Sequence, residues 1–297
     1  MVRAQIRRCR KVICSHRDLL SGMTIEPICF MVPSTTTFKK FVSLMKIAFA
    51  ASPSSIAQKA LCELEKLYGI TPPEEADIIV VLGGDGHVLK TLHAFLDQGK
   101  RVYALRCTES VGFLCNEYNP HNLLERLEKA QSVVLHPLKV ECTKTDKSII
   151  NAISINEVTF LRESPQSAKL RVCIDGVERI HRFSGDGILL ATPAGSTAYN
   201  HSAGGPIMPL DSNTLVITAV CGFRPLKWSY AVLPQSSVIS IDVIETEKRP
   251  IRVEAGFTTI SNVASARLWL DCTTAFTLLF DPDQHLGERI IREQFML

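Results

Sequence analysis

The segment Asp77–Leu82 constrains the fold more strongly than any other part of the chain. It is a continuous β-branched and apolar run after its first residue, which predicts a strand buried on both faces of a sheet. The glycine-rich sequence Gly83-Gly84-Asp85-Gly86 follows at once, and Val88–Gln98 then shows a helical apolar pattern that ends at Gly99. A strand, a glycine turn and a helix in this order are typical of an α/β unit.

Neighbouring segments repeat this arrangement. Ile47–Ala51 is a short apolar strand, and Ser54 can cap a helix that runs to Tyr68. Arg101–Leu105 predicts a third strand and Pro120–Gln131 another helix. Strands and helices at this spacing form right-handed parallel units, so residues 45–137 are predicted to be an α/β domain.

The pattern changes over residues 138–280, where short alternating runs are separated by turn residues. Asp175-Gly176 lies between two such runs and predicts a tight hairpin. We expect an all-β domain here, a sandwich or layered sheet. Residues 281–297 contain a helical pattern, Pro282–Phe295, that we expect to pack back on a neighbouring surface. The other predicted strands are Ala152–Leu161, Gly187–Thr192, Thr214–Val220, Val238–Val243, Ile251–Ala255 and Leu268–Asp271.

Charge is concentrated in residues 1–44, which carry a surplus of six positive charges. They lack the apolar core and cleavage site of a targeting peptide, so we interpret them as a disordered leader or as the product of a start codon placed before Met45. The total charge is +3, so the remaining chain is slightly negative, which argues against nucleic-acid binding. No apolar stretch is long enough for a membrane span. The ten cysteines form no CxxC pair and are interpreted as reduced thiols in a reducing compartment.

Gly83-Gly84-Asp85-Gly86 is the first segment with chemical meaning. Glycines after a buried strand allow backbone N–H groups to approach a phosphate, with Gly83, Gly84 and Gly86 as candidates. The motif is neither a dinucleotide fingerprint nor a P-loop. The carboxylate of Asp85 would repel phosphate unless it binds a metal or accepts a proton, and a purely structural turn stays the alternative.

Two further segments suggest a polar ligand. Thr192–Pro206 is dense in small and hydroxyl residues, and Tyr199 within it offers a flat face to a ring. A glycine-rich connection between strands is the simpler interpretation. Asn156-Glu157 interrupts the apolar pattern of Ala152–Leu161, so a bound ribose or purine, or an internal polar network, must supply partners for these side chains.

Together these segments resemble the NAD kinase family. The resemblance runs from about Lys46 to Phe295 and includes VGFLCNEY, FRPLKW and LLFDPDQHLGERIIREQF. It implies a Rossmann-like α/β domain followed by a β-rich domain, with NAD bound between them in a homo-oligomer, a dimer or tetramer. It also implies a cytoplasmic enzyme that transfers the γ-phosphoryl group of ATP, or a phosphoryl group of polyphosphate, to the 2′-hydroxyl of NAD's adenosine ribose, with Mg²⁺ as cofactor.

The resemblance also implies roles for single residues. Asp85 would be the general base, and Gly84 and Gly86 would leave room for phosphate and metal, with no protein ligand assigned to the metal. Asn156 and Glu157 would hold the adenosine part of NAD, and Asp186 would contact the dinucleotide from a neighbouring strand. The other residues expected to bind NAD are Asp85, Gly86, Ala194, Thr197, Ala198, Tyr199, Asn200, His201 and Ser202.

The chain departs from the family pattern at two places. Relatives usually read GxNxGxxGFL where this chain has Arg106 in place of a small amide and Glu109 beside the expected phosphate site, and Gly256 lies where relatives often place an Asp-containing turn. One alternative is therefore a non-catalytic NAD(P)-binding module. The other is a lipid kinase of the diacylglycerol or sphingosine type, which has a similar glycine motif and domain plan. A serine hydrolase around Gly195-Ser196 lacks the nucleophile elbow.

Overall fold

The strand after Asp77 is covered on both faces. The computed structural model describes residues 45–109, 113–284 and 286–295, so the predicted leader 1–44 lies outside the described residues. In it β2 (Ile78–Gly83) pairs in parallel with β1 (Ile47–Ala51) and β3 (Arg101–Arg106). Successive side chains of β2, such as Ile78 and Ile79, enter different apolar clusters on opposite faces of the sheet. The predicted burial of this strand on both faces is confirmed.

Helices cover both faces of this sheet. The described helices are α1 (Ser55–Tyr68), α2 (Asp85–Ala94), α3 (Leu123–Lys129), α4 (Tyr199–Ser202) and α5 (Leu286–Glu293), with 3-10 turns at Pro73–Glu75, Leu96–Gln98 and Ala194–Thr197. Helices α1 and α3 pack on one face of this sheet and α2 and α5 on the other, whereas α4 contacts the strand Gly187–Ala191. Ser54 caps α1 by accepting the N–H of Ala57, and Gly69 ends it, as predicted. Helix α5 buries Leu286 and Ile290 in the same apolar cluster as α2. None of the helices among the described residues has the length and apolar character that a membrane crossing requires.

The first sheet contains two strands that local sequence patterns did not place there. The remaining strands are β4 (Gln131–Leu135), β5 (Leu138–Lys144), β6 (Ile149–Ser154), β7 (Glu157–Arg162), β8 (Ala168–Ile174), β9 (Val177–Gly185), β10 (Gly187–Ala191), β11 (Thr214–Val220), β12 (Tyr230–Pro234), β13 (Ile239–Val243), β14 (Ile251–Ala255), β15 (Thr258–Ile260), β16 (Val263–Leu270) and β17 (Phe276–Phe280). The order is β1-β2-β3-β17-β4, with β17 parallel to β3 and antiparallel to β4. Strand β17 falls within the range 138–280, so the chain returns to the first sheet before α5. Gln131 begins a strand and does not end a helix.

The middle of the chain forms two six-stranded antiparallel sheets. The second sheet has the order β12-β11-β10-β7-β14-β15, and the third has the order β6-β5-β16-β13-β8-β9. Apolar side chains of both sheets form one cluster, as Phe160 of β7 and Val172 of β8 show. This is the predicted sandwich. The predicted hairpin is present too, since Asp175 and Gly176 both have positive φ between β8 and β9.

The predicted strand Ala152–Leu161 is two strands in different sheets. Strand β6 ends at Ser154 in the third sheet, and β7 begins at Glu157 in the second. The chain therefore changes sheets at Ile155-Asn156, where the polar pair interrupts the apolar pattern. It changes sheets again at Asp186, between β9 and β10.

A substitution at Gly187 tests how closely β10 approaches β7. A Cβ atom there would lie 1.9 Å from the carbonyl oxygen of Phe160 in the neighbouring strand, so Gly187→Ala should lower the free energy of unfolding by about 3 kcal/mol or more. Urea denaturation measures this. Gly86→Ala is the matched control, because no atom lies within 4 Å of a Cβ there. Equal stability of the two variants would contradict the packing of β10 against β7.

Candidate active site

Asp85 is the first residue of α2 and is held from outside the helix. Its Oδ2 accepts the backbone N–H of Phe113 at 2.8 Å, and its Oδ1 accepts that of Leu114 at 2.9 Å. Gly84, in extended conformation, caps the helix. Oδ1 also accepts the Cys115 thiol at 3.7 Å. The carboxylate is therefore fixed in orientation at the positive end of α2, and Oδ2 retains a lone pair for another partner.

Opposing effects set the proton affinity of Asp85. Burial raises its pKa, while the N–H groups of Leu114 and Phe113, the Cys115 thiol and the charge of Arg289 lower it; the net shift is upward. Arg289 of α5 also donates to the carbonyl oxygens of Phe113 and Cys115, at 3.1 and 2.7 Å, and so holds the loop that holds Asp85. The result is an oriented carboxylate that takes a proton more readily than an ordinary aspartate.

The carboxyl ends of three parallel strands form an edge beside Asp85. Ser52, after β1, donates its N–H to Leu82 of β2, and Gly83 is in register with Arg106 of β3. The N-termini of α1 and α2 both lie at this edge. Glycine at 83 avoids crowding, because a Cβ there would lie 3.1 Å from the Cβ of His87. Ligands bind at such edges in open α/β sheets, and helix N-termini favour anions.

A cavity of about 180 Å³ lies between α2 and the β-rich part. Gly86, Leu89 and His93 of α2 line it, at a spacing that places them on one helical face. The other residues that line it are Ser154, Ile155, Asn156, Glu157, Thr159, Tyr199, Glu254, Gly256 and Phe257. Three buried polar atoms on its wall have no hydrogen-bond partner: Asn156 Oδ1, Glu157 Oε2 and His93 Nε2. Since buried polar groups are normally satisfied, this wall is built for a polar ligand.

Among the groups that line this cavity, Glu157 has the pKa that burial shifts most. Desolvation raises its pKa to about 7. The carboxyl group therefore changes between neutral donor and charged acceptor near neutral pH.

Thr192 holds the corner at which these polar side chains stand. Its N–H donates to the carbonyl oxygen of Asn156 at 2.9 Å, and its hydroxyl donates to that of Ile155 at 2.7 Å. Gly195 lies so close that a Cβ would be 2.3 Å from the oxygen of Asn156. The small residues of Thr192–Pro206 are thus needed to approach the corner, in addition to any contact with a ligand.

Asn200, one of the residues predicted to line the NAD pocket, uses its side chain within the loop. It is fully buried, and its Nδ2 donates to the carbonyl oxygens of Pro206 and Ser196, at 2.9 and 3.3 Å. Its Oδ1 accepts the hydroxyl of Thr218 at 2.7 Å. The amide is therefore committed to holding the loop, because a density of small polar residues does not reveal which of them are used internally.

The other predicted NAD residues are only partly brought together. Tyr199 lines the cavity with Asn156 and Glu157, and Thr197, Ala198 and His201 are half-buried nearby in the chain, with Ser202 exposed. Ala194 lines a different cleft, of about 630 Å³, between β4, β11 and α5.

Asp186 lies at the far end of β7 from Glu157. In register, Ala191 opposes Glu157 and Gly187 opposes Leu161, so Asp186 lies five positions from the residue opposite Glu157, roughly 17 Å along the strand. Its carboxylate pairs with Nε of Arg162 at 2.6 Å. Within the described residues, Asp186 is not part of the cavity.

Sequence reasoning missed several residues of the cavity. His93 and Leu89 follow Gly86 at seven and three positions, so the helical period contained this information. Glu254 and Phe257 come from the β14–β15 turn, which local patterns cannot place opposite α2.

The geometry suits the transfer of an anionic group between two bound nucleotides. A strand edge with glycines and helix N-termini can bind an anionic group, and the neighbouring cavity with unpaired polar atoms can bind a polar ring or sugar. Asp85 lies at that edge, and Gly86, the residue after it, lines the cavity. The fold and site thus define a nucleotide-dependent transferase with an α/β part and a β-rich part.

Known proteins identify the family. A family model described as the ATP-NAD kinase C-terminal domain matches residues 155–268. The NAD kinase of Rhizobium meliloti (strain 1021) is 44% identical over 257 residues, which cover 86% of this chain and 98% of the relative. The NAD kinase of Zymomonas mobilis is also 44% identical, over 256 residues, 85% of this chain and 98% of the relative. The chain belongs to the NAD kinase family.

Solved structures share the fold. Yeast NADH kinase complexed with NADH superposes with a TM-score of 0.73 at 22% identity, over 85% of this chain and 87% of that one. An NAD kinase from Archaeoglobus fulgidus in complex with ATP gives 0.67 at 22% identity, over 85% of this chain and all of that one. They confirm the architecture of an α/β part followed by a β-rich part.

The buried carboxyl of Glu157 should make stability depend on pH. Because its pKa is raised to about 7, the folded state tolerates the neutral form, and stability falls as pH rises from about 4.5 through about 7. Glu157→Gln removes the charge, so its melting temperature should match that of the parent at pH 5 and exceed it at pH 8. Differential scanning fluorimetry without ligand measures both. A difference that is the same at the two pH values would contradict the burial of an unpaired carboxylate.

Proposed function

We propose that this chain transfers the γ-phosphoryl group of ATP to the 2′-hydroxyl of the adenosine ribose of NAD, giving NADP. The observation that carries the proposal is the position of Asp85, an oriented carboxylate beside both the anion-binding edge and the cavity with three unpaired polar atoms. Relatives 44% identical over most of the chain are named NAD kinase.

Asp85 serves as general base in this proposal. The 2′-hydroxyl attacks the γ-phosphorus, its proton passes to a carboxylate oxygen of Asp85, and ADP leaves. The two N–H groups from Phe113 and Leu114 keep the carboxylate in place without occupying all its lone pairs. The upward shift of its pKa favours proton acceptance.

The cavity holds the adenosine part of NAD. Asn156 Oδ1 accepts and Glu157 donates or accepts hydrogen bonds, and the ring of Tyr199 flanks the ligand. Its volume of about 180 Å³ is below that of a pocket for a complete drug-sized ligand and suits one ring system. Asp186, roughly 17 Å away along β7, is assigned to the opposite end of the dinucleotide, with Thr197, Ala198, His201 and Ser202 along the wall.

The donor phosphates lie over the strand edge. Gly84 and Gly86 leave backbone N–H groups accessible, while Gly83 is buried in β2, and Arg106 is exposed at the end of β3 next to Gly83. The charge of Arg106 is close enough to Arg289 to lower the pKa of that residue, after the larger effect of burial. Arg289 donates to Phe113, Cys115 and Gln284, so the exposed guanidinium of Arg106 is the group assigned to the donor phosphates.

Mg²⁺ fits this site as a companion of the donor. The described residues contain no cluster of three His, Cys, Asp or Glu side chains that could enclose a metal, and Mg²⁺ in phosphoryl-transfer sites is held largely by water and substrate phosphates, with one or two carboxylates. Asp85 is a carboxylate at the phosphate edge, and the ion would neutralise charge on the transferring group.

Assembly and location complete the proposal. We propose a homo-oligomer, because β12 lies at the edge of the second sheet and Phe223, Leu226, Tyr230 and Val232 in this region are exposed. A cytoplasmic location is supported by the described cysteines, which are all free, with Cys107, Cys115 and Cys142 buried.

Asp85→Asn should abolish NADP formation while leaving NAD bound. Loss of the base should lower kcat by about 10²–10⁴-fold, and in the parent kcat should fall as acid protonates Asp85. Asp77→Asn is the control, because Asp77 is exposed and precedes β2, whereas Asp85 follows the other end of that strand. A coupled assay with NAD, ATP and Mg²⁺ measures activity, and calorimetry measures NAD binding. A parent that binds NAD without making NADP would support the non-catalytic module instead.

Arg106→Ala should weaken the binding of ATP and leave the binding of NAD unchanged. Loss of a charge-assisted contact to phosphate should raise the KM for ATP about tenfold, and Arg106→Lys should recover part of it. The matched control is Arg101→Ala, at the amino end of the same strand and also exposed. An unchanged KM for ATP in Arg106→Ala would exclude the contact with the donor.

A further inference from the structure

The cavity contains a polar atom that the proposed reaction has not yet used, Nε2 of His93. We propose that this nitrogen hydrogen-bonds directly to the adenosine part of bound NAD, so that His93 is a substrate-binding residue. The inference rests on the proposed function, and its test separates the two.

The position of His93 is well defined by its surroundings. It lies on the face of α2 that also carries Gly86 and Leu89, so it reaches the cavity from the helix that begins at Asp85. Phe257 meets the imidazole edge-to-face at 5.4 Å, and Phe276 lies 6.4 Å away on another side. These rings restrict the imidazole to one orientation.

The unpaired nitrogen requires a partner. His93 Nε2 is buried without a hydrogen bond, and so are Asn156 Oδ1 and Glu157 Oε2. The three atoms come from a helix and from a corner between two sheets, and they line one cavity. An unmade hydrogen bond costs free energy at each atom, and a single heterocycle or sugar with several polar atoms can satisfy all three.

The chemistry of the imidazole suits a neutral ligand. Burial lowers the pKa of His93, so the ring is uncharged at neutral pH and offers either a donor or an acceptor at Nε2. Adenosine presents both kinds of group on its base and its ribose. An uncharged contact of this kind contributes to affinity for NAD without acting on the phosphoryl group.

Gly256 keeps the approach to this nitrogen open. Its φ is +57°, and a Cβ there would lie 2.9 Å from both His93 Nε2 and the carbonyl oxygen of Ile153. Any larger side chain would strain the turn and crowd the nitrogen. Glycine at this position therefore matches the use of His93 as a ligand-binding group.

The test compares His93→Phe with the parent in two measurements. Phenylalanine retains a flat ring beside Phe257 and removes both nitrogens. We expect the Kd and KM for NAD to rise about tenfold, with kcat and the KM for ATP within about twofold of the parent. The melting temperature without ligand should stay equal or rise, because an unpaired buried polar atom is removed. His93→Gln, which restores a polar group, should recover part of the affinity.

Controls separate the outcomes. His121→Phe replaces an exposed histidine outside the cavity and should leave both measurements unchanged. A stable His93→Phe protein with unchanged Kd for NAD overturns the proposal, as does a lowered melting temperature with unchanged KM, which indicates a structural role. If His93→Phe does not fold, His93→Ala and His93→Gln are compared in the same way. A parent that binds NAD but forms no NADP overturns the proposed function, while the Kd comparison still decides the role of His93.

Discussion

The hydrogen bonds from Thr192 to the backbone of Ile155 and Asn156 fix the point at which the chain passes from one sheet of the sandwich to the other. At that corner the chain cannot pair on both sides, so its side chains are free to face outward from the sheets. Because Ile155 packs in the same cluster as Val88 and Leu92 of α2, the corner is pressed against the helix that carries Asp85. The relative position of Asp85 and the cavity follows from this contact.

The two buried carboxyl groups of the site, Asp85 and Glu157, have different electrostatic environments. Burial raises the pKa of Asp85, and the hydrogen bonds from the N–H groups of Leu114 and Phe113 offset only part of that effect. Glu157 has no such compensation, and its pKa rises to about 7. The carboxyl group of Asp85 is thus oriented to accept a proton, and that of Glu157 lacks a hydrogen-bond partner for Oε2 until a ligand supplies one. Instability of the empty pocket and affinity for a ligand have the same origin.

Much of the fold could be predicted from local patterns. The buried strand Ile78–Gly83, the capped helix Ser55–Tyr68 and the hairpin at Asp175-Gly176 each depend on interactions between near neighbours in sequence. The return of Phe276–Phe280 to the first sheet could not be predicted, because Thr277 pairs with Arg101 of β3, which lies 176 residues earlier. The division of Ala152–Leu161 into two strands could not be predicted for a related reason. Both halves are apolar, and only the hydrogen bonds from Thr192 to Ile155 and Asn156 show where the chain turns.

The candidate site was predictable where motifs are contiguous and less so where the fold assembles it. Asp85, Asn156 and Glu157 stand out in sequence, and the structure brings them to one region. The amide of Asn200 is used inside the loop, which only its contacts reveal. His93 and Phe257 come from a helix and a turn far apart in sequence, and they meet only because the β14–β15 turn reaches α2.

A crystal structure of the NAD complex would test the central claim most directly. The account predicts adenosine in the cavity of about 180 Å³, with Asn156 Oδ1 and Glu157 Oε2 hydrogen-bonded to it and the ribose 2′-hydroxyl within about 3.2 Å of the Asp85 carboxylate. NAD bound elsewhere, or bound with its 2′-hydroxyl directed away from Asp85, would contradict the account.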